Sequence, residues 1–483
     1  MIIRLLDILL KVACLGFAVW FAWCFFKISS ISLFYPFPLE WMEGHTIDIM
    51  QRIVDGKPFY TEPTLEYVPY IYTPYYFYVS AFVSLFTGVD FLAARLVSVL
   101  CTLGTGGLLY VWIRKEGGSW LMGLVAAGLF LATYKISGRW FDVSRVDTMY
   151  LLFMAGGLYV FQYSKNRMDS VLAGALFAFA FFTKQSAPLA LFPAFIAALL
   201  IDRRHAIRTA AVTGLLILVG SAWFEYISGG WYSFYIYDVP TGHKNDMRQV
   251  SLFWKRDLIP ICAAMMILST ATLLLLARTN WRTGLWYTGI LLGFVGSAYL
   301  SRIHSYGHVN VLIPAHFAFV LLAMVGAVRM HAIYPKVNVI LMAGLVAQFY
   351  VLLYDPAKLI PTPSAEEKGW KFVDQIKKID GKVLFSELQF IQTRAGKQSY
   401  SIGMAGFDIM RAELGEKNSI RTAYVEHIKN RLAVKEFGAV ILGHFLTVPE
   451  LSQYYRPQFE IPQPQEFVTG AVYVDKARVF FPR

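Results

Sequence analysis

GSWLMGLVAAGLFLATYKISGRWFDVSRVDTMYLLFMAGGLYVFQY, residues 118–163, decides the fold class. Residues 118–134 carry no charge and are long enough to reach across a hydrocarbon core of roughly 30 Å. A second apolar run follows from 148. Between them stand Lys135, Arg139, Asp142, Arg145 and Asp147. Charges confined between two such runs mark a membrane boundary. Burying them costs several kcal/mol unless they pair or meet a ligand.

The same alternation runs outward through the chain. Apolar segments at 6–28, 92–113, 118–136, 147–163, 169–183, 186–201, 207–226, 258–277, 283–300, 309–328 and 336–353 predict about eleven spans. The 483 residues are 57% hydrophobic and only 16% charged, against about 25% charged in a soluble globular protein. The net charge of +12 sits mostly in short turns, at Arg114–Lys115, Lys165–Arg167, Arg203–Arg204, Arg278–Arg282 and Arg329–Lys336. The positive-inside rule makes that side cytoplasmic. No zinc finger, Walker loop or arginine-rich arm points to nucleic acid. Cys14, Cys24, Cys101 and Cys262 all lie in apolar segments, which argues against a disulfide framework. The first run lacks a small-residue cleavage site and reads as a retained span.

Parity then puts the long polar segments 29–91, 227–257 and 354–483 on the outer side. Residues 70–87 (YIYTPYYFYVSAFVSLFT) are apolar enough to raise a further span, which would reverse the charge rule downstream. Pro74 and the seven tyrosines between 60 and 78 favour a helix lying at the interface. Beyond about 355 the character changes. Pro356, Pro361 and Pro363 suit a linker. A helical stretch (AEEKGWKFVDQIKKI) and strand-like runs at 382–387, 434–443 and 469–477 predict a small α/β domain. The domains expected are 1–354, with outer loop 29–91, and 355–483.

Chemistry-bearing residues gather in the outer loops. The first loop holds Glu40, Glu43, His45 and Asp48. A spacing of three puts Glu40 and Glu43 on one helical face. They can accept a proton or hold an acceptor or metal; the alternative is a solvated surface helix. In the second loop, Asp142 with Arg139 or Arg145 reads either as a structural ion pair or as acids facing an acceptor hydroxyl while cations face a phosphate. Lys184 interrupts an apolar run, where it either snorkels or meets a lipid phosphate. Arg302, Tyr306, His308 and Asn310 fall on the same side, but Gly307 weakens a helical His304/His308 metal pair. His243, Lys244 and Arg248 form either a flexible lid or plain polar surface. Acids and cations on one face suit displacement at the anomeric carbon of a lipid-phosphate sugar: one base activates the hydroxyl and cations stabilise the departing phosphate.

The acidic first loop ending in DGKPFY, then YTPYYFYVSAF, FLAARLVSVL, SGRWFDVSRVDTMYLLF, AFFTKQSAPLALFP and SYGHVNVLIPAHF resemble the GT-C superfamily of lipid-linked glycosyltransferases. The branch most alike holds the bacterial protein mannosyltransferases and the aminoarabinose transferase. The resemblance covers roughly 1–355 in organisation and is strongest from about 31 to 205. It implies a polytopic α-helical membrane protein with outer-face juxtamembrane helices and an extracytoplasmic C-terminal domain. The donor implied is a polyprenyl-phosphate sugar, and the acceptor an envelope glycan, a lipopolysaccharide part or another lipid. The protein would sit multi-pass in a bacterial inner membrane, its active site on the periplasmic side. Glu43 matches the family's acidic patch, with Glu40 the alternative base. Asp142 and Asp147 resemble the second acidic site. Arg139, Arg145, Lys184, Arg302, Tyr306 and His308 are the expected donor-binding residues. Some members need a divalent cation such as Mg or Mn, and no metal set is specified here. A transporter or flippase of lipid-linked sugars is the competing reading; it predicts paired repeats with broken helices, which the sequence lacks.

Overall fold

The computed structural model describes residues 2–163, 166–443, 448, 450–461, 467 and 477–483. All eleven expected apolar segments are helices. They begin with α1 (Ile2–Ser32), then, after two outer-loop helices α2 (Glu43–Val54) and α3 (Tyr75–Thr87), continue with α4 (Phe91–Lys115), α5 (Trp120–Ala132), α6 (Asp147–Tyr163), α7 (Arg167–Thr183), α8 (Ala187–Ile201) and α9 (Arg203–Ser228). Helices Ile259–Thr279, Trp281–Ile303, Ile313–Ile333 and Asn338–Val351 complete the set. Among the described residues, five segments are each long and apolar enough to cross a membrane: Arg4–Ser32, Phe91–Lys115, Arg203–Ser228, Arg248–Thr279 and Val309–Ile333. The protein is a multi-pass membrane protein. The other six expected spans are shorter or more polar, α5 with 13 residues and α8 with 15 among them. Lys165, in one of the basic turns, lies outside the described residues.

Helix 309–333 is the axis of the bundle, with 94% of its apolar window buried, whereas α9 is peripheral with 6%. Side chains small enough to let backbones touch set the closest crossing. A Cβ on Gly289 would lie 2.8 Å from the Pro193 carbonyl oxygen, and one on Gly293 would overlap the Ala190 carbonyl. Close approach through small residues is how helices associate where no water drives them together. Helix α3 is 13 residues long, the same as α5, and Pro74 stands at its N-cap. Phe82, Leu85 and Phe86 on it stay exposed.

Within residues 363–483 lies helix Pro363–Lys377, capped by Thr362, and a four-stranded sheet of order β1-β2-β4-β3. Strands β1 (Lys382–Phe385) and β2 (Phe437–Leu442) are parallel; β3 (Tyr455–Ile461) and β4 (Ala477–Pro482) run antiparallel. The expected strand at 469–477 falls outside the described residues except at Ala477, where β4 begins. This region roofs the segment that carries α2 and α3. Phe390 packs on Gly44, the Ser401 N–H donates to the Leu65 carbonyl at 2.8 Å, and Arg394 pairs with Asp90 at 2.8 Å. The stretch with His243 and Lys244 is no free lid. His243 Nε2 lies 2.8 Å from the Asp408 carbonyl oxygen, and Lys244 pairs with Glu413 at 2.7 Å.

Candidate functional site

Pro36 and Pro38 keep the chain after α1 out of helix, so α2 begins only at Glu43. Glu40 lies in the preceding turn. The expectation that Glu40 and Glu43 share a helical face is thereby corrected: the two carboxylates, both buried, enter different surroundings.

Glu43 is gripped. Arg95 Nε donates to Oε1 at 3.0 Å and Nη2 to Oε2 at 2.8 Å; the Leu39 and Ser144 N–H groups add bonds of 2.5 and 2.7 Å. All four acceptor positions of the carboxylate are filled. Desolvation would raise its pKa, but the Arg95 charge and these hydrogen bonds outweigh it and hold Glu43 below its ordinary value. The same guanidinium donates to the carbonyls of Ser32, Tyr35 and Phe37, each at 2.7 Å. Arg95 therefore staples the turn 32–43 to α4. It stands alone among apolar residues in FLAARLVSVL, a signal that the sequence reading passed over.

Glu40 has the opposite environment. Both its oxygens are buried with no side-chain partner, and the Met42 backbone N–H is the donor that acts on the carboxylate. Desolvation pushes its pKa up to about 7; Arg145 pulls against this, and Glu43 and Asp147 add to the rise. Arg145 donates to the Tyr72 hydroxyl at 3.2 Å and lies over the Tyr70 and Tyr72 rings. Asp147, the first residue of α6, accepts from Lys184 Nζ at 2.7 Å and from Asn310 Nδ2 at 3.1 Å through Oδ1, while its Oδ2 is buried without a partner. Lys184 is thus an ion-pair partner of Asp147 in this structure, not a bare cation. Thr148 Oγ1, Gln185 Oε1 and Arg145 Nε are buried and unmatched too. Buried polar atoms in proteins are nearly always paired. Several unmatched ones gather around Glu40, Arg145 and Asp147.

The remaining expected residues divide. Asp142 accepts from Tyr134 Oη at 2.9 Å and lies 3.9 Å from Arg139, whose Nη2 donates to Ser32 Oγ at 2.7 Å. Desolvation raises the Asp142 pKa. This group packs beside the Arg95–Glu43 staple. Arg302 Nε donates to Asp257 at 2.8 Å, and Arg256 binds the same carboxylate at 2.7 Å. Asp257 escaped notice because charges are ordinary in the polar stretch around it. Tyr306 is corrected out of the site. It is 60% exposed and packs against Phe407 and Arg411 of the roof. The His308 ring lies tilted against Trp140, with 5.1 Å between centroids. A turn at 304–308 replaces the helix that a metal pair would need. Among the described residues no group of three His, Cys, Asp or Glu side chains is placed to hold a metal ion.

Residues 71–224 match the family of dolichyl-phosphate-mannose-protein mannosyltransferases. The crystal structure of ArnT from Cupriavidus metallidurans in the apo state aligns with a TM-score of 0.60 at 13% identity, over 96% of this chain and 98% of that one. The same protein bound to undecaprenyl phosphate gives 0.60 at 12%. The Archaeoglobus fulgidus oligosaccharyltransferase in complex with Zn and sulfate aligns at 0.52 and 11% identity, over 95% of this chain and 72% of that one. No curated protein sequence matches. At these identities the likeness is one of fold.

Proposed function

We propose that this chain, a GT-C superfamily membrane protein by fold, is an inverting glycosyltransferase that moves a sugar from a polyprenyl-phosphate donor to a hydroxyl of an envelope glycan or lipid. The observation carrying the reading is the buried Glu40 carboxylate, with no side-chain partner, beside Arg145 and the Lys184–Asp147 pair. A carboxyl group held near 7 is a well-matched general base at neutral pH. Glu40 takes the proton of the acceptor hydroxyl. The freed oxygen bonds to the anomeric carbon from the face opposite the phosphate. The carbon–oxygen bond to phosphate breaks, and its electron pair leaves on the phosphate, which Arg145 and Lys184 stabilise. Asp147 orients Lys184 and the sugar hydroxyls. Glu43, all its acceptor positions filled, fixes the shape of the loop that presents Glu40. Arg139 and Asp142 support that staple.

The fold shared with a protein crystallised with undecaprenyl phosphate supports a lipid-linked donor. We take all eleven apolar helices to cross a bacterial inner membrane, with 1–354 as the transferase domain. Residues 355–483 form a periplasmic domain over the acceptor side. The test is transfer by purified protein from a panel of polyprenyl-phosphate sugars to envelope acceptors, with donor binding measured in parallel. Transfer lost in Glu40→Gln with donor binding intact supports the reading. Donor binding without transfer in the wild type, across the panel and with divalent metal added, would overturn it in favour of transport.

A further inference from the structure

Two outer turns with strained backbones face each other beside the site. Gly138 and Arg139 have φ of 67° and 69°, and Tyr306 has φ of 67°. For Arg139 and Tyr306 this left-handed conformation is unfavourable, and such strain persists only where surrounding contacts enforce it. Both turns are tied down: Arg139 to Ser32, and the 306–308 turn by Arg302, which donates to the Gly307 carbonyl. A Cβ on Gly138 would lie 2.7 Å from Val309 Cγ2, so the turns touch. Each presents one ring to the other: Trp140 and His308 lie 5.1 Å apart between centroids, inclined by 36°.

Both rings keep an unmatched nitrogen. Trp140 is 2% exposed, yet its Nε1 meets no acceptor; His308 Nδ1 is buried and unmatched as well. An indole N–H only donates, and leaving it buried and unpaired costs about 1–3 kcal/mol. The charges acting on His308 include Arg302, Asp257, Arg145 and Arg256. Desolvation, with Arg302 next, lowers the His308 pKa to about 4, so the ring is neutral and one of its nitrogens carries a proton to donate.

We propose that Trp140 Nε1–H and the His308 imidazole form a donor pair that holds a non-bridging oxygen of the lipid-linked phosphate, which makes Trp140 a binding residue that positions the leaving group. The inference rests on the transferase reading and adds a residue to it. It accounts for a buried indole N–H among charged groups, and for the strain held in two turns that touch beside it.

The experiment compares binding of polyprenyl phosphate, the matching polyprenol without phosphate, and inorganic phosphate to the full-length protein in detergent. Wild type is set beside Trp140→Phe, which keeps the ring and removes the N–H, and His308→Phe. A lost hydrogen bond to a charged oxygen weakens binding roughly tenfold to a hundredfold. Trp140→Phe should lose that much affinity for polyprenyl phosphate, leave polyprenol binding unchanged, and unfold at the wild-type temperature. Inorganic phosphate should compete with polyprenyl phosphate in the wild type, whether or not a lipid tail is attached. Equal polyprenyl phosphate binding by Trp140→Phe and wild type would overturn the proposal, as would a parallel loss of polyprenol. Wild type that binds no polyprenyl phosphate at all would instead overturn the transferase reading beneath it.

Discussion

Arg95 holds Glu43 through both carboxylate oxygens, at 3.0 and 2.8 Å, and neither side chain has any exposure. Breaking a buried pair leaves an uncompensated charge, at a cost of roughly 3–5 kcal/mol. Arg95→Met and Glu43→Gln should therefore lower the unfolding temperature in detergent and the yield of folded protein, together with transfer. A thermal melt with wild-type midpoint for Glu43→Gln would show that the staple is not structural.

Glu40→Gln should behave otherwise. No side chain bonds its carboxylate and only the Met42 backbone N–H acts on it as a donor, so the melt should stay at or near the wild-type midpoint. Loss of a general base typically lowers turnover about 10²–10⁴-fold. Single-turnover transfer with saturating donor reads this directly.

The raised Glu40 pKa links rate and stability in opposite directions. The base works only when deprotonated, so transfer should rise with pH through about 7. In the unfolded chain Glu40 titrates near 4.5. Its contribution to stability is then fully present below 4.5 and is lost as pH rises through about 7. Melting temperature and transfer rate, each recorded from pH 4.5 to 8, should cross, and Glu40→Gln should remove this group's share of both slopes.

Lys184 and Asp147 form a mostly buried pair, with side chains 12% and 4% exposed. Lys184→Met alone should destabilise the fold and weaken donor binding. Adding Asp147→Asn removes the stranded charge, so the double variant should recover its melting temperature but not its donor affinity. Recovery of both would show that the pair is purely structural.

Gly293→Ala probes the tightest helix crossing, where the new Cβ would overlap the Ala190 carbonyl. Overpacking of this kind costs about 1–3 kcal/mol, which a lowered unfolding temperature should register. Gly296→Ala, on the same helix with open space around it, serves as the control.

What the sequence made legible were charges in the wrong solvent. Arg139, Asp142, Arg145 and Asp147 stand out between apolar runs, and each proves buried. Their partners were legible only in part: Asp142 and Arg139 read as one possible pair, and Lys184 stood out without its partner. Asp147 meets a lysine 37 positions later, and Glu43 meets an arginine 52 positions away, distances at which one chain carries no pairing signal. The helical-face argument for Glu40 failed because two prolines delay α2. Strand β3 was missed because Pro457 interrupts its alternation. Tyr306 was expected among the donor-binding residues, yet it packs against Phe407.

Helix 309–333 has a mean hydropathy of 2.3 while 94% of its window is enclosed by protein. Such a segment must satisfy two solvents in succession. It enters the bilayer as it is synthesised, when neighbouring lipid tests each residue singly, and only later exchanges that lipid for its sister helices. The apolar residues answer the first environment; Gly326, pressed against Thr272, and His316, bonded to Ser137 at 3.0 Å, answer the second. Its sequence is thus a compromise between an insertion code and an assembly code, written on the same turns.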